Sequence, residues 1–551
     1  MSSNPRKGAE RSRIKGRTLL EIRDLKIEGE SNDVWHPIVK GIDLTLRSGE
    51  VLGLVGESGA GKSTLGLAAM GYVRPGCRFV SGSVAFDGLD LLKTSEAARR
   101  AIMGSRIAYV AQSAAASFNP AQKIIDQTVE TAVDHGIMSR SDAEADARNL
   151  FRMLHLPQPD SIGERYPHQV SGGQLQRAMT AMAMSCRPEL IVFDEPTTAL
   201  DVTTQVEVLA AMRDIVERFN TAAIYITHDL AVVAQMAHRI MVLRHGLVVE
   251  EAPTREILTA PKQAYTRSLW AVRKLRKAEE PGGDVLLRMR GVSAAYGTVP
   301  VLDDVSIDLP RGRTLSVVGE SGSGKSTLAR VITGLLAPSK GEVLFEGKPL
   351  SRALAGRDRE TLRKIQMIYQ SADTALNPRQ RIGEIIGRPL ELYLGITGKA
   401  RDRRVVELLE MIELDERYVD RLPGELSGGQ KQRISIARAL AADPTLIICD
   451  EVTSALDQIV QEEILTLLMR LQRETEVSYL FITHDIATVR AISDHVVVMC
   501  QGRVVQQGLK SEVLSPPHPA YTELLLSSVP EMDPDWLTRL LDREKKTSRP
   551  G

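Results

Sequence analysis

Cysteine is scarce in this chain of 551 residues, which contains only Cys77, Cys186, Cys449 and Cys500. They lie far apart and never form a C-x-x-C pair, so the sequence excludes a disulfide framework and a cysteine-based metal site. Isolated cysteines of this kind are typical of reduced core residues in a cytosolic protein.

An excess of charge of one sign and a long apolar run are also absent. Lys plus Arg and Asp plus Glu each number 70, so a basic surface for nucleic acid is not indicated. No apolar run reaches the roughly 18 residues of a membrane-spanning helix. Six basic residues lie in the first 17 without an apolar stretch behind them, which excludes a secretory signal. We expect residues 1–16 to form a disordered basic tail, with weak attraction to anionic lipid as an alternative.

Two glycine-rich segments follow the phosphate-loop pattern G-x4-G-K-[ST], and each is preceded by an apolar run. Glycines let successive backbone N–H groups surround phosphates, the lysine reaches the outer phosphates, and the hydroxyl binds Mg²⁺. The first loop consists of Gly56, Glu57, Ser58, Gly59, Ala60, Gly61, Lys62, Ser63 and Thr64. The second loop consists of Gly319, Glu320, Ser321, Gly322, Ser323, Gly324, Lys325, Ser326 and Thr327. Both loops are predicted to bind nucleotide.

An acidic pair stands at the end of an apolar run in each half, Asp194-Glu195 and Asp450-Glu451. The aspartate is the expected partner of Mg²⁺, through water. The glutamate can accept a proton from the attacking water as general base. The alternative is a solvated strand end, which leaves the repetition unexplained.

A Ser-Gly-Gly-Gln segment lies 23 residues before each acidic pair, ahead of a helical pattern. Its residues are Ser171, Gly172, Gly173 and Gln174 in the first half and Ser427, Gly428, Gly429 and Gln430 in the second. Bare N–H groups and a hydroxyl at a helix N-terminus can bind an anion. Each segment taken alone could equally be an ordinary helix cap.

The two halves form one repeat. The loop glycines Gly56 and Gly319 are 263 positions apart, and the later motifs settle at a separation of 256. Duplication with small insertions and deletions explains these separations. Short apolar runs at 190–193, 223–226, 446–449 and 479–482 predict buried parallel strands, and 461–474 predicts a helix. Alternating strands and helices predict an α/β core with ligand loops at the strand ends.

With these motifs in this order, the chain resembles the ATP-binding cassette (ABC) ATPase family over two complete cassettes. The resemblance implies two tandem P-loop nucleotide-binding domains, each with a RecA-like core, an antiparallel β subdomain and an α-helical subdomain. We place the first domain at 17–272, a linker at 273–284, the second domain at 285–535 and a tail at 536–551, whose polar residues 543–551 are expected to be frayed. It also implies that the cassettes pack head to tail, so that the loop around Lys62 faces 427–429 and the loop around Lys325 faces 171–173.

The resemblance implies roles for further residues. Gln112 and Gln370 would touch Mg²⁺ or the attacking water, His228 and His484 would contact the γ-phosphate and orient that water, and Asp201 and Asp457 would communicate between sites. Tyr296 would stack on adenine, and Trp35 is the nearest aromatic in the first half. The implied Mg²⁺ residues are Ser63, Gln112, Asp194, Ser326, Gln370 and Asp450. Both sites keep every motif, and Val452 in place of Pro196 leaves the carboxylates intact, so both are expected to hydrolyse ATP.

Local features resemble the peptide/nickel importer branch of that family. They are Gly-Glu-Ser-Gly in both loops, the segments 117–120 and 375–378, and a Pro-x-x-x-Tyr-Thr segment after each cassette. The branch implies import of oligopeptides, dipeptides or related solutes through two separate transmembrane permease subunits served by an external solute-binding protein. The chain would then lie peripherally on the cytoplasmic face of a bacterial plasma membrane, without nucleic acid and without an iron–sulfur cluster.

Alternatives are import of nickel, glutathione or opines, a twin-cassette ATPase acting on ribosomes, and a DNA-repair or chromosome-organising ATPase. A ribosomal factor predicts a long charged linker and a basic surface, and the chromosomal class predicts large insertions. The sequence shows none of these features.

Overall fold

The computed structural model describes residues 16–31, 33–198, 200–269, 275–454 and 456–547. The chain divides into two compact units, Met1–Trp270 with Pro530–Gly551, and Ala271–Val529. The expected basic tail, apart from Gly16, lies outside the described residues, as do linker positions 273–274 and the end of the chain at 548–551.

The first unit is built on a six-stranded sheet in which five neighbouring strands run parallel to one another. The order of this sheet is β10-β9-β3-β8-β7-β6. Its strands are β3 (Val51–Val55), β6 (Ile107–Val110), β7 (Leu190–Asp194), β8 (Ala222–Ile226), β9 (Arg239–Arg244) and β10 (Leu247–Pro253). Strands β3, β7 and β8 are buried along their whole length, as expected of parallel strands covered on both faces.

A separate antiparallel sheet with the order β2-β1-β4-β5 lies beside this core. Its strands are β1 (Thr18–Ser31), β2 (Val34–Arg47), β4 (Cys77–Phe86) and β5 (Leu89–Asp90). The α-helices of the first unit are Lys62–Ala68, Glu96–Ile102, Ala114–Ser117, Ile124–Asp134, Arg140–Met153, Gly172–Met184, Val202–Phe219, Leu230–Ala234, Thr254–Thr259, Ala264–Ser268 and Trp536–Thr547.

The second unit repeats this plan with a six-stranded sheet, β16-β17-β18-β13-β19-β20, and an antiparallel sheet, β12-β11-β14-β15. Its strands are β11 (Val285–Tyr296), β12 (Val299–Pro310), β13 (Thr314–Val318), β14 (Lys340–Phe345), β15 (Lys348–Pro349), β16 (Ile365–Ile368), β17 (Leu446–Asp450), β18 (Ser478–Ile482), β19 (His495–Cys500) and β20 (Arg503–Leu509). Its α-helices are Lys325–Thr333, Arg359–Lys364, Ala372–Ala375, Ile382–Pro389, Gly398–Met411, Gly428–Leu440, Gln458–Thr475, Ile486–Ile492, Lys510–Val513 and Ala520–Ser527, with a π-helical turn at Leu390–Leu394.

The predicted architecture is confirmed. The four apolar runs lie in β7, β8, β17 and β18, all with parallel neighbours, and the predicted helix lies within Gln458–Thr475. Because parallel strands end at one edge of a sheet, the loops after β3, β6, β7 and β8 meet there. No helix among the described residues is long and apolar enough to cross a bilayer.

The unit boundaries differ from the expected domain limits at the C-terminus. Pro530–Gly551 belongs to the first unit, and the expected tail contains the helix Trp536–Thr547, which extends into the part expected to be frayed, 543–551. Its side chains Trp536, Leu537 and Leu540 are buried. This apolar stripe, with spacings of three and four residues, stabilises a helix by packing on one face, although the overall composition of the segment is polar.

Candidate active sites

The phosphate loops connect β3 and β13 to the helices that follow them. Gly61 and Gly324 precede these helices with φ of 93° and 101°, a left-handed conformation that glycine adopts without a steric penalty. The buried Lys62 Nζ donates to the carbonyl oxygens of Gly56 at 2.7 Å and Glu57 at 2.8 Å. Lys325 Nζ makes the same two contacts with its own loop, at 2.8 and 2.7 Å. Both ammonium groups therefore lie inside their loops.

The aspartate of each acidic pair lies beside the serine of the phosphate loop. Ser63 Oγ donates to Asp194 Oδ1 at 2.8 Å, and Ser326 Oγ donates to Asp450 Oδ1 at 3.1 Å. The first site has a second donor, because Tyr109 OH lies 2.7 Å from the other Asp194 oxygen. The matching position in the second cassette is Met367.

The aspartate of the second acidic pair has a shifted pKa. Burial is the main effect on Asp450 and, with the neighbouring charge of Glu451, it raises the pKa of Asp450 above the ordinary value. Tyr109 has no counterpart in the repeat, so the duplication that revealed the other site residues gave no signal for it.

The glutamate of the first acidic pair is held in a restricted geometry. Glu195 has a φ of 48°, an uncommon value for a residue with a side chain. Its N–H donates to the Ile226 carbonyl at the end of β8, at 2.9 Å. Its Oε2 atom accepts from Gln112 at 3.1 Å and from Thr198 at 3.2 Å, and lies 3.5 Å from His228 Nδ1. The structure therefore brings the predicted glutamine, glutamate and histidine together.

The second cassette repeats this arrangement. Glu451 has a φ of 51°, and its N–H donates to the Ile482 carbonyl at 2.9 Å. Gln370 Nε2 donates to Glu451 Oε2 at 2.8 Å, and His484 Nδ1 lies 3.4 Å from Glu451 Oε1. Strained backbone that the surrounding structure maintains twice is typical of functional positions.

Each glutamate and histidine stabilise each other's charged forms. Burial raises the pKa of Glu195, but the hydrogen bond and the charge of His228 lower it by more, so the pKa lies below its ordinary value. Burial lowers the pKa of His228, but Glu195 raises it, and the net shift is upward. The pair Glu451 and His484 shifts in the same directions for the same reasons. Both pairs therefore favour a carboxylate beside an imidazolium.

The Ser-Gly-Gly-Gln segments begin the helices Gly172–Met184 and Gly428–Leu440 with a capping box. Ser171 Oγ accepts from Gln174 N–H at 3.3 Å, and the Gln174 side chain accepts from Ser171 N–H at 3.1 Å. Ser427 and Gln430 make the same pair of bonds at 3.3 and 2.9 Å. The ordinary helix cap, which was the alternative to an anion site, is therefore present in both cassettes.

The two glycines of each segment differ in what surrounds them. A Cβ atom on Gly173 would lie 2.1 Å from Thr204 Cγ2, and one on Gly429 would lie 2.5 Å from Val460 Cγ1. Close packing of neighbouring helices therefore requires these two glycines. On Gly172 and Gly428 a Cβ would meet nothing nearer than 3.9 and 4.0 Å, so packing within the unit leaves the absence of a side chain there unexplained.

The tyrosines of the Pro-x-x-x-Tyr-Thr segments contact the phosphate loops, a role that sequence reasoning missed. Glu57 N–H donates to Tyr265 OH at 3.1 Å, and Glu320 N–H donates to Tyr521 OH at 3.0 Å. The signal was available, since both tyrosines lie 256 positions apart in a repeated motif.

The candidate adenine-stacking residues lie on different strands. Tyr296 ends β11 and accepts a hydrogen bond from Arg330 at 2.8 Å, whereas Trp35 lies near the start of β2 with Arg78 over its ring at 4.0 Å. Asp201 and Asp457 cap the helices Val202–Phe219 and Gln458–Thr475. Adenine stacking by Tyr296 or Trp35, and communication between the sites by Asp201 and Asp457, stay predictions.

The fold and the two sites define a pair of P-loop nucleotide-hydrolysing cassettes. The ABC transporter family profile matches residues 39–198 and 302–454, together more than half of the chain. The chain belongs to the ABC transporter family, binds ATP, and is an ATPase subunit that energises solute import. A second profile, "Oligopeptide/dipeptide transporter, C-terminal region", matches residues 505–550. The predicted family, fold class and enzyme class are confirmed.

Curated relatives align with nearly the whole chain. The chain is 37% identical over 566 residues to "Glutathione import ATP-binding protein GsiA" of Salmonella choleraesuis (strain SC-B67), covering 95% of this chain and 91% of that protein. It is 36% identical over 561 residues to the protein of the same name from Escherichia coli O157:H7, with 94% and 90% covered. A solved structure of cbiO1 from Clostridium perfringens, part of the ABC transporter complex cbiONQ, is 30% identical with a TM-score of 0.39, covering 42% of this chain and 91% of that chain.

Proposed function

We propose that each ATP is bound between the phosphate loop of one cassette and the Ser-Gly-Gly-Gln segment of the other. The observation that carries this proposal is the exposed, bare backbone at Gly172 and Gly428, which no packing within either unit explains. A glycine that leaves a helix N-terminus open lets a phosphate approach the N–H groups closely. Each cassette alone would then hold only part of a γ-phosphate site.

The chemistry at each site follows from the side chains that meet there. The loop N–H groups and Lys62 or Lys325 would bind the phosphates, while Glu195 or Glu451 would accept a proton from the attacking water. The oxygen-rich donor set suits Mg²⁺, which prefers carboxylate, hydroxyl and amide oxygens. Ser63, Gln112 and Asp194 in the first site, and Ser326, Gln370 and Asp450 in the second, would hold the ion, which neutralises phosphate charge when bound.

The proposed cargo is an oligopeptide, a dipeptide or a related small solute. The C-terminal profile at 505–550 and the relatives named for glutathione import support this class. The proposed partners are two transmembrane permease subunits and an external solute-binding protein. The helical regions at 113–164 and 371–423 would dock the permeases at the cytoplasmic face of a bacterial plasma membrane.

Reconstitution in proteoliposomes tests this function. The chain is combined with its cognate permease pair and solute-binding protein, and uptake of labelled dipeptides, tripeptides, glutathione and nickel is measured together with ATP turnover. Loaded binding protein should stimulate both activities, and Glu195→Gln with Glu451→Gln should abolish both. Uptake of nickel alone would reassign the cargo. ATPase activity stimulated by ribosomes, without copurifying permeases, would contradict the importer function.

A further inference from the structure

The segment that follows the second cassette in sequence packs on the first unit. Leu537 is fully buried there, and Trp536 and Leu540 are nearly so. Apart from Leu541 and two threonines, the other residues of the helix Trp536–Thr547 are charged. Its apolar face therefore depends on the first unit for burial.

Polar contacts fix the position of this segment. The buried Gln235 side chain donates through Nε2 to the carbonyl oxygens of Glu531 at 3.1 Å and Asp533 at 3.0 Å, and accepts through Oε1 from Leu537 N–H at 3.1 Å. Arg255 Nη2 lies 2.9 and 2.7 Å from the two carboxylate oxygens of Asp535. The one buried amide of Gln235 thus pairs with three backbone groups of the C-terminal segment, so it fixes the backbone conformation of that segment on the first unit.

The segment that follows the first cassette makes corresponding contacts within the second unit. Lys277 Nζ donates to Gln472 at 2.6 Å and to the buried Asp494 at 2.5 Å. Ser511 donates through its N–H and its hydroxyl to Glu279, at 2.6 and 2.9 Å. Leu275 packs against the buried core of the same unit.

The two sets of contacts share one register in the repeat. Glu279 and Asp535 are 256 positions apart, and their partners Ser511 and Arg255 are separated by the same 256. An acidic residue at one tail position therefore meets one surface position twice, each time in the unit that holds the other cassette. Duplication preserved the docking geometry, although the residues that dock have changed.

We infer that the post-cassette segments, 275–283 and 530–547, form a reciprocal tether that keeps the two cassettes paired without nucleotide. The C-terminal region matched at 505–550 would thereby hold the cassettes together between turnovers. The side chains on the surface of each unit also determine which post-cassette segment it binds. The first cassette has His238 where Asp494 binds Lys277, and the second has Ala491 where Gln235 binds the C-terminal segment. Each surface therefore fits only the post-cassette segment that it binds in this structure.

Cleavage of the folded chain tests the tether. A site-specific protease sequence is inserted between Gly282 and Gly283, where a Cβ on Gly283 would meet nothing within 4 Å. After cleavage and removal of nucleotide, the two fragments should elute together on size exclusion at the mass of the intact chain. Separation of the cleaved wild-type fragments would overturn the inference.

Substitutions test whether the two post-cassette segments cause the association of the cleaved fragments. Leu537→Glu combined with Lys277→Glu should weaken the fragment affinity at least a hundredfold, because one change buries a carboxylate and the other faces Asp494. Lys545→Glu, on the exposed side of the same helix, is the matched control and should leave the fragments associated. Unchanged association in the double variant would exclude the tails as the tether.

A surface charge exchange covers the case in which the buried substitution prevents folding. Arg255→Glu should weaken the fragment affinity about 2- to 5-fold, the effect of one exposed ion pair. Adding Asp535→Arg should restore the affinity. Failure of the second change to restore what the first removes would contradict the register inferred for the tail.

Discussion

The Tyr265 hydroxyl accepts a hydrogen bond from the Glu57 backbone N–H at 3.1 Å, which joins the segment after the first cassette to the turn that begins the phosphate loop. Arg244 lies over the same tyrosine ring at 4.6 Å. Tyr521 and Glu320 repeat the bond in the second cassette. A phosphate loop must present its N–H groups in a fixed array, so a bond at its first turn limits the conformations available before nucleotide binds.

Removing this hydroxyl should weaken ATP binding while leaving the chemical step largely intact. Tyr265→Phe combined with Tyr521→Phe should raise the KM for ATP about 2- to 10-fold, the effect of one neutral hydrogen bond per site, with little change in kcat. Steady-state kinetics and fluorescent-nucleotide binding measure both quantities. Tyr72→Phe, at an exposed tyrosine, is the control. A lower kcat at unchanged KM would argue against a role in loop positioning.

Glu195→Gln and Glu451→Gln should each lower ATP turnover by about 10² to 10⁴, the usual contribution of a general base. Nucleotide binding should persist, because the amide keeps the side-chain shape and the loop is untouched. Equilibrium binding measured beside turnover separates the two effects. Glu217→Gln, at an exposed position on the helix Val202–Phe219, is the control for the change of charge. Wild-type turnover in either site variant would remove that glutamate from the base role.

The two glycines after Ser171 should respond differently to alanine. Gly173→Ala should destabilise the chain by about 1–3 kcal/mol, because its Cβ would overlap the Thr204 methyl group. Thr204→Ser removes that methyl group and should recover most of the loss. Gly172→Ala should leave the unfolding temperature unchanged but lower ATP turnover, since its site lies open. Thermal unfolding and ATPase assays on the three variants decide this, and full activity in Gly172→Ala would count against a phosphate contact at that position.

Glu250 should make the first unit more stable at neutral than at acidic pH. Its carboxylate accepts the N–H groups of Lys262 at 2.8 Å and Gln263 at 3.0 Å. Burial raises its pKa, but the Thr266 side chain and these two N–H groups lower it by more, so the net shift is downward. The stabilisation is therefore complete above the unfolded-state pKa and is lost as the pH falls through the lower folded-state value.

The matching variant is Glu250→Gln, which imitates Gln506 at the same position of the second cassette. It should cost about 1–3 kcal/mol at neutral pH, since hydrogen bonds to charged groups contribute that much. The difference in unfolding temperature from wild type should shrink as the pH falls below the unfolded-state pKa. Glu256→Gln, in an exposed ion pair with Lys262, should show little effect at any pH. A difference in unfolding temperature that stays constant with pH would contradict the stabilising role of the Glu250 carboxylate.

Repetition, together with the family resemblance, made most of the site predictable. The loop lysines, the acidic pairs, Gln112 and His228 each occur twice at a nearly constant separation, and the structure places the glutamine and histidine on the glutamate in both cassettes. Tyr109 could not be found in this way, because Met367 replaces it in the second cassette. The tyrosine contacts at the phosphate loops could be suspected from a repeated motif, but their partner could not, since it is a backbone N–H group 208 positions away.

The sequence by itself determined the two cassettes, the alternation of their strands and helices, and the motifs that meet at the strand ends. Local periodicity and the repeated motifs indicate the α/β core, and the family resemblance implies the roles of the remaining site residues. Tertiary structure alone decided where the C-terminal segment lies. The polar residues 543–551 predict a frayed end, yet three apolar side chains just before them, at helical spacing, pack on a complementary surface of the first unit. Burial depends on which surface is available to cover a stripe, and that surface is formed by residues hundreds of positions earlier in the chain.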